Sequence, residues 1–177
     1  MIVGHVWAVR CLAGPDREER LLFVLRSIAL GEDWCSIVLR PVGQAVRPGR
    51  AVLFGGSGVR PFSLFIRDGK ARFDRDIRLP EHLRGLGLGI YFLSTLVRLA
   101  VLLGHGGARV RALHLVGRDQ SPLREAFYRS MRFQLRLWPD GTGWARVATL
   151  CDLRSDYDHS KISEELLPAQ SAYPLGM

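Results

Sequence analysis

Arg84-Gly85-Leu86-Gly87-Leu88-Gly89 constrains this chain more than any other stretch. Its three alternating glycines sit between a strand-like segment, Ala71 to Leu79, and an apolar helical segment, roughly Ile90 to Leu103. Glycine adopts backbone conformations closed to residues with a Cβ, so a tight strand-to-helix turn is predicted here. Peptide N–H groups in such a turn can surround an anion, and the helix N-terminus adds positive partial charge. A diphosphate is the natural guest. The P-loop string GxxxxGK[ST] is absent, and neither Lys70 nor Lys161 is near. The dinucleotide fingerprint GxGxxG fails as well, because Ile90 stands where its third glycine belongs and no ribose-binding acid follows around His105-Gly106-Gly107-Ala108.

Along the rest of the chain the order reads β, α, several β, α, β, α, β, β. Residues 1–10 read as a strand. Pro15-Asp16-Arg17-Glu18-Glu19 resembles a helix start, and Leu21, Leu22, Leu25, Ile28 and Ala29 recur at helical spacing up to Gly31-Glu32-Asp33. Trp34 to Leu39 and Ala51 to Phe54 read as short strands, with Pro41 to Gly49 a loop between them. Asp68-Gly69 predicts a two-residue hairpin joining Phe62–Arg67 to Ala71–Leu79. Val110 to Val116 is a strand, Ser121-Pro122 opens a helix through Met131, and Phe133–Trp138 and Trp144–Leu150 are strands. Residues 154–177 read as a polar tail with a short helix over Lys161 to Leu167, after a single domain spanning 1–153.

Arg-x-x-Gly-x-Gly after a strand, followed about forty residues on by Ala126-Phe127-Tyr128-Arg129-Ser130-Met131-Arg132-Phe133, resembles the GNAT superfamily of acyl-CoA-dependent N-acyltransferases. The likeness covers roughly residues 59–137. It implies an α/β (α+β) fold: a mixed, mostly antiparallel central sheet of six to seven strands flanked by helices, with strands four and five splayed apart. The cofactor implied is acetyl-CoA, or another acyl-CoA, as acyl donor, with no metal. Its pyrophosphate would rest on Arg84, Gly85, Leu86, Gly87, Leu88 and Gly89. Its pantetheine arm would bond to backbone near Ile77 and Leu79. An amine acceptor would attack the thioester directly, with Tyr128 as the acid that protonates the departing thiolate and Ser121 in the place of a family asparagine. Ser121 reads equally as a plain helix cap. A phenol with an ordinary pKa of about 10 arrives protonated at neutral pH. Asp74, Asp76 and His114 are weaker candidates for a base, and Arg118, Arg124 and Arg129 for contacts to the cofactor's 3′-phosphate.

Departures from the family pattern lie at Ser121, at Arg132, where the family has glycine before the final phenylalanine, and in the turn from Pro80 to Arg84, which is one residue longer than the commonest spacing. They leave open an alternative, a catalytically inactive acyl-CoA-binding regulatory or interaction module. The net charge of +8 and pI near 10.2 favour an anionic partner, although only two of the 25 cations are lysines and the arginines are scattered. The expected partner is an amine-bearing acceptor, either a small molecule, a protein or an aminoacyl-tRNA. A homodimer is compatible with this reading. Three dispersed cysteines, no Cys/His cluster and no signal-peptide pattern predict a cytoplasmic protein. Arg98 within the only long apolar run argues against a membrane span.

Overall fold

A computed structural model describes residues 2–11, 20–45, 51–53, 60–74, 79, 84–116 and 122–167. Three long antiparallel strands, β1 (Ile2–Cys11), β2 (Arg20–Leu30) and β3 (Trp34–Ala45), form one half of a mixed sheet. The sheet continues through β5 (Phe62–Arg67) and β6 (Lys70–Phe73), while β4 (Ala51–Leu53) pairs with β3 away from this path. Last comes β7 (Arg109–Val110), which is parallel to β6. On the far edge β11 (Ile162–Leu166) pairs antiparallel with β1. A second sheet holds β8 (Leu113–Leu115), β10 (Gly143–Arg146) and β9 (Gln134–Leu137), in that order. The described helices are α1 (Leu88–Leu102) and α2 (Pro122–Ser130). A mixed, mostly antiparallel α+β architecture is therefore present, with its described strands divided between two sheets.

Helix α1 supplies the centre of the core. Tyr91, Phe92, Leu93, Leu96, Val97 and Ala100 are fully buried, and Phe92 stacks on Phe62 at 4.4 Å. Beneath them lie Ile37, Leu39, Leu64, Ile66, Ala71 and Phe73, the inward residues of strands whose neighbours alternate outward. This burial explains the apolar run around Arg98, and no helix among the described residues is long and apolar enough to cross a membrane.

Two predicted helices are strands. Residues 20–30 form β2 because Leu22, Val24 and Arg26 alternate inward, and ten pairings to each neighbouring strand fix the register. The apolar positions there fit a helical period and a strand covered on both faces equally well, so periodicity alone was ambiguous. The helix start at Pro15–Glu19 lies outside the described residues. The short helix over Lys161–Leu167 is instead β11, held by the otherwise open edge of β1, with Ile162 buried inward and Ser163 exposed. Of the expected loop, residues 46–49 lie outside the described residues, and Pro41 to Ala45 belong to β3. Its pairing with β2 shifts register between Phe23 and Val24, opposite Pro41 and Gly43, as expected where proline lacks an N–H. Asp68-Gly69 forms the predicted hairpin turn, with both residues at positive φ.

Candidate functional site

The strand predicted over Val110–Val116 is divided at the point that shapes the site. Arg109 and Arg111 donate N–H bonds to the Gly69 and Ala71 carbonyls, both at 2.8 Å. Beyond that point Leu113–Leu115 leaves β6 and pairs with β10 in the second sheet. Strand β6 stays with β5, since Asp74 N–H bonds the Ser63 carbonyl at 3.0 Å. By strand alternation the peptide groups of Phe73 face the side that β8 has vacated. The parallel pair thus parts after two registers, with β8 turned into the second sheet. Ile77 lies outside the described residues, and Leu79 is partly buried against the core.

The glycine turn follows at the N-terminus of α1. Gly85 and Gly87 have φ of 76° and 75°, a left-handed geometry that a Cβ disfavours. Gly87 is the N-cap residue, with no side-chain cap bond and no acid in the first turn. The first-turn amides of Leu88, Gly89 and Ile90 therefore have no carboxylate competing for them within the helix. Arg84 donates Nε–H to the Leu79 carbonyl at 3.0 Å, bracing the turn against the end of the preceding segment.

A cavity of about 450 Å³ adjoins this turn at Gly87 and Ile90, and its other walls include Arg154, Asp158, His159 and Lys161. These residues come from the segment read in sequence as a polar tail. Lys161 sits 3.2 Å from Asp158, and Arg154 sits 3.2 Å from Asp156. Hydrogen bonds from Ser160, together with Lys161, hold the Asp158 carboxyl below the ordinary range, so it is ionised at neutral pH. The signal for this wall was faint in sequence because its cations reach the turn only once β11 docks on β1.

The two glycine-turn and α2 signatures meet in space. A Cβ on Gly89 would lie 3.2 Å from Cε2 of Phe127, so the absence of a side chain there lets α2 approach α1 closely. Tyr128 packs edge-on against Phe127 at 5.1 Å and against Phe133 at 5.6 Å. Burial raises its phenol pKa, opposed in part by nearby Arg124, so the hydroxyl remains a proton donor well past neutrality. Arg124 donates to the Val116 and Gly141 carbonyls at 2.7 and 2.6 Å, and Arg129 pairs with Glu125 at 2.6 Å. Both arginines are thereby engaged within the protein. His114 is exposed and tilted against Trp144, and Asp74 is exposed near Ser63. Ser121, Asp76 and Arg118 lie outside the described residues. Among the described residues no group of three or more His, Cys, Asp or Glu is arranged to hold a metal.

Arg132, the position at which the resemblance implies glycine, has φ of 68°. Phe133 N–H bonds the Tyr128 carbonyl at 3.0 Å and Arg132 N–H bonds the Arg129 carbonyl at 2.9 Å, closing α2 in a Schellman arrangement. The cap needs a left-handed residue, which accounts for glycine being the better fit. Arg132→Gly is expected to raise stability by about 0.5–1 kcal/mol, the relief of left-handed strain less the added chain entropy of glycine. Urea unfolding measures it, and a destabilised variant would contradict the strain.

Comparison with protein-family models, curated proteins and solved structures finds no match for this chain.

Proposed function

We propose that this chain is an N-acyltransferase, moving an acetyl group from acetyl-CoA to a primary amine by direct attack. The observation that carries the reading is the conjunction at Gly89. There the turn that holds the left-handed Gly85 and Gly87 packs against the helix that bears Tyr128. In this reading the diphosphate lies on the amides of Leu86 to Gly89, beside the wall of Arg154 and Lys161. Ile77 and Ser121 lie outside the described residues, so the pantetheine arm is placed on the edge of β6 that β8 leaves, at Phe73. An N–H on that edge polarises the thioester carbonyl as charge develops on oxygen. The amine nitrogen attacks the carbonyl carbon, the C–S bond breaks, and Tyr128 gives its proton to the sulfur while the ammonium proton leaves to solvent.

Release of free thiol from acetyl-CoA across a panel of amines tests the proposal. Tyr128→Phe is expected to keep cofactor affinity and to slow transfer by roughly 10²–10⁴-fold, the usual worth of a positioned proton donor. Its raised pKa predicts that the rate holds through neutrality and falls only as alkaline pH deprotonates the phenol. Unchanged turnover in the variant would remove Tyr128 from the reaction. Acetyl-CoA binding with no turnover on any amine would favour the inactive acyl-CoA-binding module.

A further inference from the structure

The outer face of the main sheet, opposite α1, carries a second feature that the acyltransferase reading does not use. Phe62, Leu64 and Ile66 of β5 point into the core, so Phe65 and Arg67 point out, and on β6 Lys70 and Arg72 do the same. Strand register sets these side chains in two cross-strand rows. One runs Trp34, Arg67, Lys70, Arg109, since each is the direct partner of the next. The other runs Ser36, Phe65, Arg72 and then Arg111, whose N–H bonds Ala71 beside Arg72. Columns lie roughly 5 Å apart and rows roughly 7 Å apart. The surface is an open depression of about 580 Å³ that includes Phe65, Arg67, Lys70, Arg72, Arg109 and Arg111.

Five cations here face one carboxylate lining the depression, Asp68. Arg67 makes only long contacts, 3.8 Å each, to Asp33 and Asp68. Lys70, Arg72, Arg109 and Arg111 make no ion pair among the described residues. Like charges gathered this closely repel one another, so the face is built at a cost in stability that an anionic ligand would relieve. In their midst Phe65 is 41% exposed, backed by Trp34 in a stacked pair at 6.2 Å. A rigid sheet bearing an exposed ring within a cationic field matches a polymer with negative charges along its length and flat apolar faces between them.

We infer that this face binds a single-stranded polynucleotide, with Phe65 stacking on a base and Arg67, Lys70, Arg72, Arg109 and Arg111 holding the phosphates. Flanking cations leave the ring accessible to an unpaired base, whereas a duplex would present no base face to it. The site is independent of the proposed acyl transfer.

Fluorescence anisotropy with a labelled mixed-sequence single strand of about 20 nucleotides, as RNA and as DNA, tests the inference. Four to five phosphate contacts predict a log–log salt slope near −3, so affinity should fall about 60-fold between roughly 50 and 200 mM salt. Arg72→Glu/Arg111→Glu should weaken binding at least about tenfold and flatten the slope by about 1.4. Phe65→Ala should weaken it about tenfold while leaving the slope unchanged. Arg136→Glu/Arg146→Glu, an equal charge change on the second sheet, serves as control and should alter affinity far less. Arg67→Gln/Lys70→Gln repeats the comparison without charge reversal should the first variant fold poorly, as checked by thermal melting. Equal loss in the control would reduce the effect to net charge and overturn the site. So would binding to phosphatidylserine vesicles without binding to either polynucleotide, or tighter binding to the duplex than to the single strand.

Discussion

Gly87→Glu is expected to abolish acyl-CoA binding at concentrations that saturate the wild type. Two effects act together. The residue sits at φ 75°, where a side chain costs about 1–2 kcal/mol, and its Cβ would reach to 3.6 Å from the Ile162 side chain. The larger effect is electrostatic. A carboxylate about 4 Å from one phosphate charge, at the effective dielectric of a protein surface, opposes binding by about 4 kcal/mol, close to a thousandfold in Kd. Gly87→Asn separates the two, since asparagine tolerates the left-handed region and carries no charge. It should retain most of the affinity. Calorimetric titration with coenzyme A gives the answer, with thermal melting to show that each variant is folded. Undiminished binding by Gly87→Glu would remove the glycine turn from the cofactor site, and with it the core of the proposed function. The polynucleotide face would be untouched by that outcome.

The second large effect concerns stability. Glu164 on β11 is mostly buried between two arginines of different elements. It accepts hydrogen bonds from Tyr91 and Arg98 at 2.9 Å each and pairs with Arg26. Arg26 is itself buried, lies over the Trp7 ring at 3.8 Å, and donates to the Tyr91 hydroxyl at 2.6 Å. This network joins β2, α1 and the C-terminal strand. Glu164→Ala leaves the Arg26 charge buried without its carboxylate, a change that typically costs about 3–5 kcal/mol. Arg98 is one-third exposed and regains water, which places the expected loss toward the lower end of that range. Urea unfolding reads this directly, and a loss below about 1 kcal/mol would show the network to be incidental.

The same carboxylate gives a pH signature. Burial pushes its pKa up, but Arg26 and the hydrogen bonds from Arg98 and Tyr91 outweigh burial and leave it below the ordinary glutamate value. The unfolded chain then binds the proton more readily than the folded one, with its carboxyl near pH 4.3. The stabilisation is complete above that pH and fades as pH falls through the lower folded pKa. Wild type should lose stability on acidification below about pH 5, and Glu164→Gln should lack that component.

Features set by neighbouring residues were legible in the sequence. The glycine turn, the Asp68-Gly69 hairpin and the start of α2 at Pro122 all follow from backbone needs that local residues meet. The apolar run of α1 was equally plain, because a helix closes its own hydrogen bonds. The outward set Phe65, Arg67, Lys70 and Arg72 alternates visibly around its hairpin, although its meaning depended on Arg109 and Arg111 arriving beside it.

Residues 20–30 and 162–166 became strands because open edges of β1 and β3 were there to receive them, and strand hydrogen bonds come from partners remote in sequence. The same dependence divided residues 109–115 between two sheets. Glu164 looked like one acid in a polar tail, and only the docking of β11 surrounded it with Arg26, Tyr91 and Arg98. Sequence alone determined the turn, the hairpin and the helix beside them, whose geometry is written within a few residues. Tertiary structure decided the parting of β7 and β8, the cavity wall and the buried ion network, whose parts are brought together only by pairing and packing across the chain.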